Sequence, residues 1–444
     1  MASTYLSKTL GTATNRKKFT VSFWFKRASL SSTQIVFAGT NGSADEFIYL
    51  NGSDGINAEC AGGQLVSNMK LRDTNGWYHL VYTFDSAQAT AGDRSALYIN
   101  GTEISYSTET QPNQNTDPSY INNANLHTIG KRGSANDAYF GGLISHFHFC
   151  DGQAYAPSDF GETDSTTGEW KIKTSPSVTY GNNGFFILKD GNSVTDQSGN
   201  SNNFTVSGGT LSNTEDCPSN VFATLNPLSQ TGNFTLSGSD LPTNGNTVFT
   251  GKSSSNYPGF FSTLAASSGK YYAEFKVTSA AQGDTMIGVS NGLWNNDALG
   301  GSAGSYGSQD YVYFGYNGKI YTNGAGSTYG SAISLNDIVQ IALDCDNNAM
   351  YVGVNGTYKN SGVPTSGASK TGAVNLPTST TGVWHFAVGD YGTDGVPVIN
   401  CNFGNGFFGT TAISSEGTNA SGIGKFEYDV PAGYTALSTK GLNE

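Results

Sequence analysis

Charged residues are scarce in this sequence of 444 residues, of which only 13% are charged. The 22 lysines and arginines are outnumbered by 34 acids, which gives a formal net charge of −12 at pH 7. Proteins bind nucleic-acid phosphates through clustered Lys and Arg, so this balance argues against a nucleic-acid partner. The first 30 residues differ, because they contain no acid and six basic residues: Lys8, Arg16, Lys17, Lys18, Lys26 and Arg27. We interpret them as a solvated basic end, with docking onto an acidic partner as the alternative.

Long apolar runs and cysteine pairs are also missing. No apolar run is long enough to cross a membrane, and the opening MASTYLSKTL lacks the apolar core of a signal peptide. The five cysteines are scattered, odd in number and form no Cys-x-x-Cys pair. These absences argue against membrane insertion, a disulfide framework and a zinc site, and they favour folding in a reducing cytoplasm.

Helical periodicity is absent, whereas short strand patterns with Gly and Asn turns recur throughout. In residues 19–26, FTVSFWFK, the side chains alternate strictly, so Phe19, Val21, Phe23 and Phe25 share one face of a half-buried strand. Asn100-Gly101 lies between two β-prone runs and predicts a tight hairpin. The remaining strands predicted in the first half span residues 77–84, 97–99, 102–104, 142–150, 184–190 and 203–206.

The second half restarts the same pattern after a loop-like stretch at residues 207–230. Strands at intervals of roughly 8 to 12 residues, with Asn-Gly turns between them, are typical of a sandwich or jelly roll. The predicted strands span residues 271–277, 286–289, 311–315, 319–321, 338–343, 349–354, 384–388 and 398–403. The sequence therefore predicts an all-β protein.

The first-half strands together resemble a laminin-G-like, concanavalin A-like jelly roll. The runs that carry the resemblance are FTVSFWFK (19–26), GWYHLVYTFD (76–85), LYINGTEI (97–104), IGKRG (129–133) and FGGLISHFHFCDGQAY (140–155). In that family an Asp-x-Ser-Gly-Asn element commonly comes first, whereas here it lies at Asp196–Asn200. We therefore expect a permuted order, in which the strand at residues 203–206 returns and places Phe204 in the first sandwich. This domain is assigned residues 1–225, with a surface excursion at 151–184 and a late strand at 185–206.

Residues 270–409 resemble a SPRY domain, another concanavalin A-like sandwich used for binding. The matching runs are GKYYAEFKV (269–277), IGVSNG (287–292), YFGYNGKIYTNG (313–324), DIVQIALDCDNNAMYVGVNG (337–356) and WHFAVGDYG with VINCNFG (384–404). The second domain is assigned residues 226–444. The predicted architecture is thus two antiparallel concanavalin A-like β-sandwiches in tandem.

The arrangement as a whole resembles structural proteins of marine bacteriophages. The resemblance lies in MASTYLSKTL, PSDFGETDSTTGEWK (157–171), SNVFATLNPL (219–228) and the ending VPAGYTALSTKGLNE. It implies a non-enzymatic protein of the virion surface, such as a tail fibre or receptor-binding adhesin that contacts a host glycan or protein. It also implies other virion proteins as partners. We expect a homo-oligomer such as a trimer, because several tethered copies bind far more strongly than one shallow site, and we expect attachment to the particle through the basic amino-terminal end. A capsid decoration or head-fibre protein is the alternative, and a glycan-degrading enzyme is a third.

Catalysis is disfavoured because a carboxylate pattern is incomplete. Concanavalin A-like glucanases share a Glu-x-Asp-x-x-Glu strand, and retaining hydrolysis needs two adjacent carboxylates. Here Glu162 and Asp164 lack the third acid, and Glu169 is out of register. His146 and His148 share a predicted strand face and could hold a metal, but two exposed imidazoles are the commoner arrangement. We expect no catalytic residue.

The run DQSGNSNNFTV at residues 196–206 allows two interpretations. The first interpretation is a structural calcium site, because calcium prefers hard oxygen ligands and the run supplies them from Asp196, Asn200 and Asn202. A simple turn is the other and is favoured, because the run carries one formal charge. We expect no other cofactor.

Binding of a glycan needs aromatic faces for stacking and polar groups for the hydroxyls. Loops of the second domain carry such residues and are predicted to form the recognition surface. The candidates are Trp294, Asn295, Asp297, Tyr306, Tyr329, Asp390 and Tyr391.

Overall fold

The structure is a computed structural model that describes residues 3–189, 193–231, 241–252, 257–279, 285–293, 298–301, 309–392 and 395–443, with the backbone alone at 230 and 231. The chain forms two compact units. The first comprises residues 1–213 and 217–219, and the second comprises residues 214–216 and 220–444. The division thus falls slightly before the predicted boundary at residues 225 and 226. Within the described ranges, no helix is long and apolar enough to span a membrane.

The first unit is built from antiparallel sheets. In chain order its strands are β1 (Tyr5–Thr9), β2 (Lys18–Arg27), β3 (Gln34–Thr40), β4 (Asp45–Leu50), β5 (Ile56–Cys60), β6 (Gly63–Ser67), β7 (Tyr78–Asp85), β8 (Ser95–Ile99), β9 (Thr102–Glu103), β10 (Tyr106–Thr110), β11 (Leu126–Ile129), β12 (Gly142–Asp151), β13 (Gly161–Thr163), β14 (Trp170–Ile172), β15 (Phe185–Ile187) and β16 (Thr205–Ser207). The larger sheet has the order β10-β6-β5-β4-β3-β11-β1-β16, and the smaller has the order β15-β12-β2-β7-β8-β9. Short 3-10 helices lie at Ala91–Asp93 and Pro157–Asp159.

The core of the first unit lies between these two sheets, and the Phe face of β2 points into it as predicted. The opposite face of β2 is buried as well, so the prediction of a half-buried strand was wrong. Phe19, Val21, Phe23 and Phe25 all belong to one buried cluster. Phe23 stacks on Phe147 of β12 with ring centroids 4.9 Å apart. Aromatic rings therefore fill this core, each contributing a large buried area.

The late strand closes the first sandwich, and this prediction is confirmed. β16 pairs antiparallel with β1, so that Leu6 faces Val206. Phe204 is only 4% exposed and meets Phe185 edge-to-face at 4.7 Å. The amino-terminal strand β1 consequently lies between β11 and β16 and has a hydrogen-bonded neighbour on each side.

The excursion at residues 151–184 is more ordered than the sequence predicted. It contains the hairpin β13–β14 and packs against the outer face of the smaller sheet. Trp170 stacks on His79, and its indole N–H donates to His79 Nδ1 at 3.0 Å. A second buried cluster, which includes Val81, Cys150 and Phe160, lies under the same segment. The excursion therefore covers that sheet face.

The second unit repeats the two-sheet arrangement. Its strands are β17 (Leu225–Thr231), β18 (Val248–Thr250), β19 (Gly259–Ser262), β20 (Lys270–Ser279), β21 (Thr285–Ser290), β22 (Asp310–Phe314), β23 (Lys319–Thr322), β24 (Ala325–Thr328), β25 (Ile338–Asp344), β26 (Ala349–Val354), β27 (Thr357–Tyr358), β28 (Val374–Asn375), β29 (His385–Asp390), β30 (Val398–Asn402), β31 (Phe407–Phe408), β32 (Thr411–Ala412) and β33 (Thr435–Ala436). One sheet has the order β17-β19-β29-β21-β22-β23-β24. The other has the order β18-β30-β20-β25-β26-β27, with β28 on β26 and β33 on β20. Short 3-10 helices lie at Lys359–Ser361, Pro364–Ser369 and Gly441–Asn443.

A buried carboxylate fixes the carboxy-terminal segment of the second unit. Glu274 on β20 accepts hydrogen bonds from the backbone N–H groups of Glu427 and Tyr428, both at 2.8 Å. It also accepts from the Tyr272 hydroxyl at 3.0 Å and from the Asn402 amide at 3.3 Å. Burial raises the pKa of Glu274 to about 7, although these donors act in the opposite direction. One acid thereby ties residues 427 and 428 to the sheet.

The basic amino-terminal end is solvated only in part, because Lys8, Arg16, Lys17 and Lys18 are half-exposed while the other two basic residues are buried. Arg27 is 1% exposed and pairs with Asp54 at 3.1 Å, and Lys26 is also buried. Lys18 pairs with Asp85 at 3.0 Å, and Arg16 lies 3.8 Å from Asp117. Arg27 lies on the same face of β2 as the Phe residues, so the strand alternation carries it into the fold, where Asp54 neutralises it.

Candidate functional site

Four of the predicted recognition residues lie outside the described part of the chain: Trp294, Asn295, Asp297 and Tyr306. Two others are packed into the second unit, so the prediction that they form a surface was wrong. Tyr329 is 8% exposed, belongs to the main core, and donates its hydroxyl to the Gly372 carbonyl at 2.8 Å. Burial raises the pKa of Tyr329 to about 12. Asp390 is 1% exposed and accepts the backbone N–H of Lys252 at 2.6 Å.

Tyr391 remains on the surface and belongs to an aromatic group that the sequence did not reveal. We call this group the tyrosine platform, which consists of Tyr257, Phe314, Tyr316, Tyr321 and Tyr391. Tyr316 is 64% exposed and Tyr391 is 45% exposed, whereas Phe314 is 7% exposed. Two large aromatic side chains that stay this accessible on one surface are a candidate recognition site.

Phe314 is the centre of the tyrosine platform. Its ring meets Tyr391 at 5.5 Å and Tyr321 at 5.4 Å, both edge-to-face, and lies 6.3 Å from Tyr316. Tyr257 stacks on Tyr391 with centroids 5.4 Å apart and an interplanar angle of 19°. Because Tyr391 contacts both Tyr257 and Phe314, its orientation is restricted before any ligand arrives, which lowers the entropy cost of binding.

The strand alternation of the seven-stranded sheet places these rings. On β22, Tyr313 points into the main core while Phe314 belongs to a separate apolar cluster on the outer face. Tyr321 on β23 packs against the same outer cluster. Gly318, at φ 66°, allows the sharp turn between the two strands, and a Cβ there would lie 2.5 Å from the Ser331 backbone. A tight turn therefore keeps Tyr316 beside Phe314.

Tyr257 and Tyr391 reach the platform from neighbouring strands. Tyr257 precedes β19, and Tyr391 directly follows β29, which pairs with β19. The Asp390 carboxylate holds this corner, since it also accepts the N–H of Gly392 at 3.1 Å. Asp390 thus supports the backbone beneath Tyr391 rather than facing a ligand directly.

The loop at Asp196 is closed by its own hydrogen bonds. Asp196 Oδ1 accepts the N–H groups of Phe186 and Ser198 at 2.9 Å, and Oδ2 accepts the N–H of Asn202 and the Ser198 hydroxyl at 2.8 Å. Asn200 and Asn202 both donate their amide nitrogens to the Gly184 carbonyl at 2.9 Å. These contacts are those of a structural turn; calcium binding stays a prediction.

The histidines are enclosed by aromatic rings. His148 is 2% exposed, so the prediction of an exposed side chain was wrong. The imidazole of His148 stacks on Phe186 with centroids 3.9 Å apart, and its Nδ1 lies 2.9 Å from the Tyr180 hydroxyl. His146 lies at a bulge in β12, and its Nδ1 is 2.7 Å from the Ser145 hydroxyl. Among the described residues, no group of three or more His, Cys, Asp or Glu side chains is placed to hold a metal.

Glu162 and Asp164, the two acids of the incomplete carboxylate pattern, lie on the β13–β14 hairpin. Glu162 and Asp164 both pair with Lys171, at 3.3 Å and 3.2 Å. Hydrogen bonds from the backbone N–H groups of Thr167 and Thr166, followed by Lys171, lower the pKa of Asp164 to about 2. A general acid needs a raised pKa, so Asp164 is suited to an ion pair rather than to proton donation.

Residues 2–157 match the family model described as the concanavalin A-like lectin/glucanases superfamily. The matched span includes β1 to β12 and ends before β15 and β16. Together with the two packed antiparallel sheets, the match assigns the first unit a concanavalin A-like fold, as predicted. Among curated proteins, none matches the chain.

Several solved structures are similar to parts of the chain. The SPRY domain of human HERC1 is 18% identical over 40% of this chain and 96% of that domain, with a TM-score of 0.29. A putative carbohydrate binding protein from Bacteroides ovatus is 16% identical, with a TM-score of 0.34, and the aligned part covers 47% of this chain and 57% of that protein. Domain 4 of AbnA, a GH43 extracellular arabinanase from Geobacillus stearothermophilus in complex with arabinotriose, is 20% identical over 34% of this chain and 66% of that domain, with a TM-score of 0.25.

Proposed function

We propose that this chain is a non-enzymatic protein of a bacteriophage virion surface, which binds a glycan or protein of the host cell through the tyrosine platform. The observation that carries the proposal is the exposed pair Tyr316 and Tyr391, which lie beside the buried ring of Phe314 with centroid distances of 6.3 Å and 5.5 Å. Tyrosine faces stack on the apolar faces of sugar rings, and their hydroxyls bind water or sugar hydroxyls. The concanavalin A-like fold of the first unit is compatible with this use.

The virion assignment is supported by the resemblance of four sequence segments to marine bacteriophage structural proteins, including SNVFATLNPL and the final VPAGYTALSTKGLNE. A single shallow aromatic surface binds weakly, so adhesion would depend on several copies acting together. We therefore propose a symmetric homo-oligomer, such as a trimer, associated with other virion proteins. Its place on the particle decides between two roles, because a tail protein would contact the host while a head protein would decorate the capsid.

Truncation of the exposed tyrosines should weaken binding to cells. Tyr316→Ala and Tyr391→Ala each remove a stacking surface, for which roughly 0.5–1.5 kcal/mol is typical, and the losses multiply over the copies in an oligomer. We expect free protein carrying either substitution to compete with phage for host cells at least about threefold less well than the unaltered protein. The measurement is phage adsorption at increasing concentrations of free protein.

The matched control is Leu335→Ala, because Leu335 is also an exposed apolar side chain of the second unit (54%) but lies outside the platform. It should compete as well as the unaltered protein. Equal competition by all three variants would contradict the platform, and absence of competition by the unaltered protein would contradict adhesion.

Immunogold electron microscopy of intact particles tests the location. Gold at the tail is the result expected for an adhesin. Gold over the head would make capsid decoration the role of this protein, and particles without gold would contradict a virion protein altogether.

A further inference from the structure

The outer face of the eight-stranded sheet in the first unit carries a second group of aromatic and polar side chains. On β4, Glu46, Ile48 and Leu50 are buried, so Phe47 and Tyr49 point to the opposite, half-exposed face. On the adjacent strands, Glu59 of β5 faces Phe47, and Gln64 of β6 faces Glu59. We call Phe47, Tyr49, Glu59 and Gln64 the β4–β6 cluster.

One carboxylate oxygen organises the β4–β6 cluster. Glu59 Oε1 accepts the Tyr49 hydroxyl at 2.9 Å and the Gln64 side-chain amide at 3.1 Å. Phe47 supports Tyr49 edge-to-face, with centroids 5.0 Å apart and an interplanar angle of 87°. Both donors engage Oε1, and no hydrogen bond to Glu59 Oε2 is found among the described residues. The cluster thus presents a fixed, half-exposed acceptor beside a fixed tyrosine ring.

The charge of the β4–β6 cluster restricts what it can bind. No ion pair involving Glu59 is found within the described ranges, and the whole chain carries a net charge of −12. An anionic ligand would therefore be repelled, whereas a neutral polyhydroxylated ligand could donate hydroxyls to Glu59 Oε2 and to the Gln64 carbonyl oxygen. A hydrogen bond to a charged acceptor is stronger than one between neutral groups.

The two sheet faces of the first unit differ in accessibility. The outer face of the smaller sheet is covered by the segment at residues 151–184, where Trp170 stacks on His79. The four side chains of the β4–β6 cluster are each half-buried, and so remain accessible at their outer surfaces. Partial burial also holds their rotamers, which favours binding without a large loss of entropy.

We propose that the β4–β6 cluster is a second glycan-binding site, specific for neutral hexopyranosides. The sugar stacks on Tyr49 and donates hydroxyl hydrogen bonds to Glu59, while Gln64 fixes the carboxylate and offers its own carbonyl. This site lies in the first unit and uses none of the residues of the tyrosine platform. Its ligand class follows from the carboxylate, the amide and the ring alone, so it can be tested separately from adhesion.

Saturation-transfer NMR on the full chain tests this site, with the methyl glycosides of glucose, galactose and mannose as probes. We expect at least one probe to receive saturation and its affinity to fall about tenfold or more in Glu59→Gln, which keeps the side-chain size and removes the charge. Tyr49→Phe keeps the ring and removes the donor to Glu59, so a smaller loss is expected. Glu109→Gln, which removes an exposed carboxylate on β10, should leave the affinity unchanged.

The same experiment separates this site from the tyrosine platform. Circular dichroism and thermal unfolding of each variant establish that it is folded. Binding that persists in Tyr316→Ala and Tyr391→Ala but weakens in Glu59→Gln supports the second site. Saturation of none of the three probes, or affinities that Glu59→Gln leaves unchanged, would overturn it, and binding lost only in the platform variants would assign the sugar to the platform instead.

Discussion

Acidification from pH 7 to pH 5 is expected to destabilise the first sandwich much more than the second. Burial lowers the pKa of His79 to about 3 and that of His127 to about 4, and it lowers the pKa of His148 strongly. In the unfolded chain these imidazoles titrate near pH 6.5. Below pH 6.5 the histidines bind protons in the unfolded state but not in the folded state. The free energy of unfolding therefore falls, by roughly 2 kcal/mol per buried histidine at pH 5.

The second sandwich responds differently because its titrating groups oppose each other. Burial lowers the pKa of His385, which acts in the same direction as in the first unit. Burial raises the pKa of Glu274 to about 7, so the folded state takes up a proton before the unfolded state does. Between pH 7 and pH 5 this uptake stabilises the folded form and offsets the loss from His385.

Pulse proteolysis in urea, read by mass spectrometry, measures both sandwiches in one sample. We expect the urea midpoint of peptides from residues 3–189 to fall on acidification while that of peptides from 257–443 changes little. His127→Phe should flatten the pH dependence of the first sandwich, because His127 already stacks on Phe37 and its Nε2 has no hydrogen-bond partner. Midpoints that fall together would contradict this account.

Glu46→Gln is expected to cost the first sandwich several kcal/mol. Glu46 is 6% exposed and accepts four backbone N–H groups at 2.8 Å, from Ala61 and Ser119 on Oε1 and from Tyr120 and Ile121 on Oε2. A glutamine keeps one acceptor oxygen and turns an NH₂ group toward two N–H donors. Each buried donor left without an acceptor costs about 1–3 kcal/mol.

Hydrogen exchange and urea unfolding check the effect of Glu46→Gln. The amides of residues 119–121 should lose protection, and the unfolding midpoint of the first sandwich should fall. Glu109→Gln, with the same change of charge on an exposed side chain of the same sheet, should leave both unchanged. Equal stability of the two variants would mean that the hydrogen bonds of Glu46 contribute little.

The sequence predicted strands well where apolar alternation is strict or an Asn-Gly turn marks a hairpin, and poorly elsewhere. Residues 19–26 became β2, and both predicted strands around Asn100-Gly101 were confirmed. The strands β3 to β6 were missed. β3, β5 and β6 contain Gly or Asn, and β3 is buried on both faces, which removes the alternation. Long-range contacts such as those of Glu46 with residues 119–121 leave no local sequence signal.

The candidate sites were predictable only in part. Tyr391 was correctly placed on the surface, but Tyr329 was not, because a tyrosine in a Gly-rich stretch looks the same whether it is packed or free. The platform also depends on Phe314, whose outward direction follows from the register of β22 in the folded sheet. Likewise, Tyr49, Glu59 and Gln64 lie on three strands, and only their pairing brings them together.

The pairing of β1 with β16 also sets the order in which the protein can be completed during translation. Ser7 faces Thr205 across these strands, and its hydroxyl lies 3.5 Å from that of Ser207, which is 200 residues away in the chain. β1 therefore stays unpaired until β11 has been made, and it keeps one unpaired edge until β16 follows. Long-range closure of this kind is slow, and an unpaired strand edge can pair with other chains, so we expect the nascent amino-terminal half to be most prone to misassociation before β16 emerges.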